Sequence, residues 1–307
     1  MSGSHAHGKG ITSQKMWVAT AITFTFCLFE ALIGYQSNSL ALMADAGHNF
    51  ADALALALSA FALWMASKPA DDKRTFGYHR VGILAALVNA VGLAIMSIVI
   101  FWEAVLRLQT PESVDSGPMI WVALVAIVLN SGIAWWLSAA AKDDLNIRSA
   151  YLHMVGDAAA SLAVVIAGII IAFTSWYVAD PIVSIIFAFL VLWSSWSILT
   201  ESIQMLLEGT PVGLDLANVK QKITEVQGVL NVLNVHDVHV WAVASGLTAC
   251  NCHILIAEQN VSSGQKIQQN VTHMLEHDFN INHATIQIEV LDCGEHDHMS
   301  KNHHDHA

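Results

Sequence analysis

Charge is scarce in this chain. Asp, Glu, Lys and Arg make up 12% of its 307 residues, about half of the ~25% usual in a soluble globular domain. With 55% hydrophobic residues and a mean hydropathy of +0.52, this excludes a soluble protein over the whole length. Basic residues are the scarcer kind, 13 against 25 acids. A nucleic-acid partner is therefore excluded, because it requires a basic face. An acidic balance suits the handling of cations without specifying one. The four cysteines, Cys27, Cys250, Cys252 and Cys293, have no disulfide-framework spacing, and a reducing compartment is the simpler expectation for the soluble part. No cleavable signal peptide is expected: the polar start MSGSHAHGKG leads into an apolar run too long for one.

What the chain does have is long apolar runs. Six are expected to span a bilayer: Met16–Tyr35, Leu40–Ala66, Val81–Leu106, Pro118–Ala140, Ala150–Phe173 and Pro181–Leu207. Each reaches the ~20 residues that a hydrocarbon core demands. An even number puts both termini on one side. Lys9, Lys15, Lys68, Lys73, Arg74, Arg80, Lys142 and Arg148 then share that side, against Arg107 on the other. The positive-inside rule makes both termini cytoplasmic. Short links such as Lys142–Arg148 and Thr174–Asp180 make neighbouring spans antiparallel.

Two of these runs carry one spacing twice, His48-x-x-x-Asp52 in the second and His153-x-x-x-Asp157 in the fifth. Residues four apart share a helix face. Ionisable groups at membrane depth are costly and mark ion or proton pathways. Together the pairs offer two imidazole nitrogens and two carboxylates, a complete tetrahedral set for zinc. The two carboxylates cancel the charge of one divalent ion, which limits its desolvation cost. Histidine titrates near neutral pH, so protons compete for the same lone pairs. For either pair alone, a structural hydrogen bond between helices explains the spacing as well; two pairs of one type in separate spans favour the metal. Glu30 and Asp45 fit helix-end or supporting roles, and Asn49 and Asn130 fit interhelical hydrogen bonding.

After Glu208-Gly209-Thr210-Pro211 the pattern changes to that of a small soluble domain. Asp215–Val226 is expected as a capped helix, Val229–Val243 and Leu247–Ala257 as strands joined at Ser245-Gly246, Ser262–Asp278 as a second helix and Ala284–Leu291 as a third strand. The domain plan is residues 1–15 as a cytoplasmic segment, 16–207 as a six-helix membrane domain, 208–293 as an αββαβ domain and 294–307 as a His-rich tail.

These motifs carry a resemblance. Ala44-Asp-Ala-Gly-His48-Asn-Phe-Ala-Asp52, Pro69-Ala-Asp-Asp-Lys-Arg-Thr-Phe-Gly-Tyr-His79-Arg80, Leu152-His153-Met-Val-Gly-Asp157 and Val235-His-Asp-Val-His-Val-Trp241 occur in the right order over nearly the whole chain. In these the chain resembles the cation diffusion facilitators, the zinc-exporting family that includes the eukaryotic zinc transporters. The resemblance implies a membrane α-helical fold with six transmembrane helices, followed by a cytoplasmic αββαβ domain of metallochaperone-like, ferredoxin-like type. It implies a homodimeric antiporter that moves Zn2+ out of the cytoplasm in exchange for H+. His48, Asp52, His153 and Asp157 match the family's transport-site positions. A histidine at the first of them, where some members have aspartate, goes with zinc preference over cadmium, as nitrogen for oxygen should.

The chain also departs from some members. Where some bacterial members carry a further metal site in the loop after the second span, this chain has Arg74 and Tyr78, which are not ordinary zinc ligands, leaving Asp71 and His79 as weak contacts. The long His-rich loop of many eukaryotic members is absent, which implies a bacterial inner membrane. The αββαβ domain of the family is similar to copper-chaperone folds and dimerises, often around zinc. Its ligand positions map onto His236, His253 and Glu289, with His283 as a further candidate; surface or interface roles for the histidines are the competing explanation. His239 faces opposite His236 on a regular strand. Cys250 and Cys252 share a face without His253 and fit buried apolar packing or soft ligation. His296, His298, His303, His304 and His306, with His5 and His7, fit either metal capture or inert tails.

Two other function classes are an intramembrane zinc enzyme and a metal-sensing membrane protein. The first lacks a His-Glu-x-x-His run or an open ligand position. The second lacks any attached kinase-like or DNA-binding module.

Overall fold

The apolar runs form long helices. A computed structural model describes residues 21, 24–139, 145–229, 235–244 and 246–290. The N-terminal segment, Cys293 and the His-rich tail with His296, His298, His303, His304 and His306 lie outside the described residues. Helix α1 covers residues 24–36. It is followed by α2 (Leu40–Ala66), α3 (Arg80–Gln109), α4 (Ser116–Ser138), α5 (Leu145–Thr174) and α6 (Ala179–Leu206). Among the described residues, five helices are long and apolar enough to cross a membrane. The shortest, α4 with 23 residues, is about 35 Å long at 1.5 Å per residue, which exceeds the ~30 Å hydrocarbon core. The expected first span, Met16–Tyr35, falls partly outside the described residues.

The chain forms two compact units, residues 1–60 with 88–199, and residues 61–87 with 200–307. In the first, small residues let helices approach closely. Ala41, Ala123 and Ala167 pack with Leu42, Met119, Val164 and Ile171. Large apolar side chains such as Trp121, Trp135, Phe173 and Trp193 face outward, as lipid contact requires. Polar groups fix the helix ends. Asp115 caps α4 by accepting from the Gly117 amide at 3.2 Å. Arg107 donates to the Asn38 carbonyl at 2.8 Å and to Asn38 Oδ1 at 3.0 Å, stabilising Asn38 in its left-handed conformation (φ 55°).

The second unit holds α7 (Leu216–Glu225), β1 (Val235–Ala244), β2 (Leu247–Leu255), α8 (Val261–Phe279) and β3 (Ile281–Glu289). Asp215 caps α7 through the Ala217 amide at 2.9 Å, and Asn260 caps α8 through the Ser263 amide at 2.9 Å. The sheet order is β1-β2-β3, with β1 antiparallel and β3 parallel to β2. Val240, Cys250, Cys252 and Ile254 bury one face of the sheet together with Val219, Ile223, Val271 and Leu275 from the two helices. The opposite face carries His253, paired across to His236 on β1 and Gln287 on β3.

Of the expected strand Val229–Val243, residues 230–234 lie outside the described residues; Val229 bridges Ile256, and Val235–Ala244 form β1. One strand boundary differs from expectation. Strand β3 begins at Ile281 rather than Ala284, because Asn280 ends α8 in the left-handed conformation (φ 54°, ψ 36°) and turns the chain directly into the strand.

Candidate metal centres

The helical i, i+4 spacing does align each His/Asp pair, but the closest approach is between pairs. His153 Nε2 lies 3.1 Å from Asp52 Oδ2 and 3.6 Å from Asp157 Oδ2. His48 Nε2 lies 3.5 Å from Asp52 Oδ2 and 3.9 Å from Asp157 Oδ1. The ligand atoms of His48, His153 and Asp157 all fall within 4.8 Å of one another, and Asp52 adjoins both imidazoles. The rings of His48 and His153 meet edge to face at 5.8 Å. Asp157 is buried, and its Oδ2 accepts no hydrogen bond among the described residues. Two imidazole nitrogens and two carboxylates gathered from α2 and α5 form a donor set that suits zinc.

A layer of buried polar groups adjoins this cluster. Asn49 Nδ2 donates to Glu30 Oε2 at 3.3 Å. Ser161 Oγ lies 3.2 Å from Asp45 Oδ2 and 3.0 Å from the Asp157 carbonyl oxygen. The partners of Glu30 and Asp45 were not readable from the sequence. Helical periodicity was the available signal: Asp45 lies three residues before His48, and Ser161 lies four after Asp157. Asn130 is buried on α4.

In the soluble unit, His236, His253 and Glu289 converge. His236 Nε2 is 3.3 Å from Glu289 Oε2, and His253 Nδ1 is 3.0 Å from Glu289 Oε1. Glu289 is buried, and its Oε2 accepts no hydrogen bond among the described residues. Two nitrogens around a buried carboxylate with an unused oxygen fit a bound zinc ion.

Asp237 was not singled out by its spacing, yet it adjoins this cluster, with Oδ2 3.6 Å from His253 Nε2. A register shift between His236 and His239 and a left-handed Asp237 (φ 51°) break the alternation. A bulge of this kind re-aims a side chain. His239 faces away from the cluster, 57% exposed at its side chain, and bonds Asp237 Oδ1 at 2.9 Å. That bond, with the nearby histidine charges, holds the Asp237 carboxyl below the usual carboxylate range.

His283 does not join the cluster. It pairs with Ala249, whereas His253 pairs with Gln287. It lies six residues from Glu289, about 20 Å along a strand. Its ring instead meets Phe76 edge to face at 5.4 Å.

Cys250 and Cys252 lie in the core of the sheet's other face. The Cys250 hydrogen bond and burial push the Cys252 thiol far up, so it stays a neutral packing group. In the loop between α2 and α3, Asp71 accepts from Tyr78 at 2.8 Å and from the Lys73 and Arg74 amides at 2.9 and 2.7 Å. These bonds, that of Tyr78 foremost, hold its carboxyl below the usual range. The carboxylate is thereby committed to closing a turn. His79 joins no group of metal-ligating side chains among the described residues.

The family model described as the cation efflux transmembrane domain matches residues 16–207, well over half the chain. The chain belongs to the cation diffusion facilitator family. A second model, the cytoplasmic domain of cation efflux proteins, matches residues 211–290 of this family member. The chain is 36% identical to a cadmium, cobalt and zinc/H(+)-K(+) antiporter of Bacillus subtilis, over 93% of its own length and 92% of that protein. It is likewise 36% identical to the zinc transporter ZitB of Escherichia coli, over 95% of its own length and 94% of that protein. A solved structure of the metal-bound C-terminal domain of the CzcD transporter from Cuprividus metallidurans is 32% identical over 25% of this chain and all of that one, with a TM-score of 0.22. Members of this family are transporters, not enzymes. Five apolar helices and bacterial relatives make this one a multi-pass inner-membrane protein.

Proposed function

We propose that this chain exports Zn2+ from the cytoplasm in exchange for protons, by alternating access around His48, Asp52, His153 and Asp157. The observation that carries the proposal is the gathering of these side chains from α2 and α5, with nitrogen–oxygen distances of 3.1 to 3.9 Å. Two carboxylates neutralise the ion, so a filled site has no net charge to strand in lipid. Two imidazoles supply nitrogen donors and, once the ion leaves, accept protons. Relatives named as a cadmium, cobalt and zinc/H(+)-K(+) antiporter and as a zinc transporter support this reading.

The finer architecture belongs to the same proposal. Six spans place both termini in the cytoplasm, with domains at 16–207 and 208–293 and a His-rich tail at 294–307. The soluble domain is an αββαβ metallochaperone-like, ferredoxin-like unit that joins two copies into a homodimer, a reading supported by the family model matched there. His236, His253 and Glu289 hold a resident zinc ion in it. His296, His298, His303, His304 and His306 concentrate zinc near the cytoplasmic mouth.

The test is zinc flux into vesicles holding the purified protein, driven by an imposed pH gradient. Wild type should accumulate zinc and Asp157→Ala should not. Full zinc transport by Asp157→Ala would sink the proposal.

A further inference from the structure

Behind the four zinc ligands lie two carboxyls which that reading leaves without a task. Glu30 on α1 is 0% exposed and Asp45 on α2 is 1% exposed, and Glu30 packs on the helix face that carries Asp45, since it accepts from Asn49, one turn after Asp45. One oxygen of each already has a partner, Asn49 Nδ2 for Glu30 and Ser161 Oγ for Asp45. The others, Glu30 Oε1 and Asp45 Oδ1, meet no donor among the described residues. Carboxylates only accept hydrogen bonds, so two of them facing each other lack the hydrogen that would join them. Two buried, adjacent negative charges are also the costliest state available to them. One proton shared by the pair removes both problems.

The surrounding groups provide no alternative counter-charge. The titratable groups beside the pair are Cys27 on α1, whose thiol meets the Ala46 carbonyl at 3.2 Å, His48 one turn on along α2, and Asp157 on α5, joined to Asp45 through Ser161. Among the described residues neither carboxyl is in an ion pair with Lys or Arg.

We infer that the Glu30–Asp45 carboxyl pair is a proton site separate from the zinc ligands, and that it carries one of the exchanged protons. The inference rests on the transporter reading above. Its coupling to zinc follows from position. Asp45 lies one helical turn before His48, and Ser161, one turn after Asp157, links Asp45 Oδ2 to the Asp157 carbonyl. A dication arriving at the ligands raises the potential at the pair. The shared O–H bond then breaks, its electrons stay on the carboxylate, and the proton leaves to water on the side then open. When zinc departs to the other side, a proton from that water re-forms the O–H. No oxidation or reduction is involved.

The test uses the full-length protein in vesicles containing a pH dye and a zinc dye. Glu30→Gln should retain zinc-for-zinc exchange at equal pH but lose about one proton per zinc, and with it about tenfold of flux ratio per pH unit. Glu30→Asp should keep the wild-type proton ratio. Difference infrared spectra should show a protonated-carboxyl band lost on zinc binding that is weaker in Glu30→Gln than in the wild type. A wild-type proton ratio in Glu30→Gln, or no such weakening of the band, overturns the inference. Coupling that follows an imposed K+ gradient instead of pH overturns the assignment to a proton. A wild type that moves no zinc refutes the transporter reading itself, an outcome distinct from each of these.

Discussion

Asp180 is the group whose removal should most directly reveal how α2, and with it His48 and Asp52, is held. It lies in the first turn of α6 and reaches across to the start of α2. Its Oδ1 accepts from Ser39 Oγ at 2.6 Å and from the Ala41 amide at 3.2 Å, and its Oδ2 accepts from the Leu40 amide at 2.8 Å. The carboxylate thus satisfies two of the orphan amides at the positive end of α2. An Asn side chain has the same shape but offers one oxygen and one NH2. With the NH2 toward Leu40 that amide is unpaired, and with it the other way Ala41 is unpaired. A buried unpaired donor costs about 1–3 kcal/mol. Loss of the charge beside the helix end adds up to ~2 kcal/mol. We expect Asp180→Asn to lose about 2–4 kcal/mol and Asp180→Ala, which abandons all three donors, about 3–5 kcal/mol. Unfolding in mixed detergent micelles, followed by tryptophan fluorescence, measures both. Zinc affinity should fall with stability, because α2 positions two of the four proposed ligands. An Asn variant within about 0.5 kcal/mol of wild type would refute the capping argument.

Four further outcomes follow from other parts of the molecule. His48→Asp replaces a nitrogen donor by oxygen, so the preference for zinc over cadmium should weaken; unchanged selectivity in competition flux would undo the role given to His48. Glu289→Gln keeps the size of the buried group but removes its charge, so bound zinc per protomer, counted by metal analysis, should drop while the intramembrane site still fills. Gly228→Ala should destabilise the soluble unit by about 1–3 kcal/mol, because Gly228 has φ +106° and an added Cβ would lie 2.5 Å from Ile267 Cδ1; a neutral effect on thermal unfolding would contradict this. The depressed Asp237 carboxyl contributes stability that is present above the unfolded value of about 3.9 and is lost as pH falls through the folded value. His239→Ala should move that loss toward higher pH, as read from acid unfolding.

Much of the His/Asp cluster on α2 and α5 was legible because helical periodicity is local. The spacing His48 to Asp52 and His153 to Asp157 aligns each pair whatever the helices do. That α2 and α5 approach one another, so that His153 lies closer to Asp52 than to its own partner Asp157, is a tertiary fact with no local signature. The same limit hid Asp180, whose bonds cross some 140 residues of chain. In the soluble unit, alternation separated Cys250 and Cys252 from His253 correctly, since strand periodicity is also local. His283 came instead from the family's ligand positions; it shares its face with Glu289 but lies too far along the strand. Alternation missed Asp237, because a bulge shifts the register by an amount that alternation cannot express.

The two clusters use similar donors in different solvents, and charge decides how each can be used. In the proposed transport site two carboxylates face one divalent ion, so the filled site is neutral and tolerable in lipid. The cytoplasmic cluster joins His236 and His253 to the single carboxylate of Glu289, so its filled state keeps one positive charge. That charge is affordable beside water and beside Asp237, whose carboxylate lies 3.6 Å from His253, but would be prohibitive at membrane depth. The empty states reverse the order. An empty transport site leaves two carboxylates facing each other without their counter-ion, whereas the empty cytoplasmic cluster leaves only Glu289 beside two imidazoles. Exchange of metal for protons is therefore natural for the first cluster and retention of metal for the second.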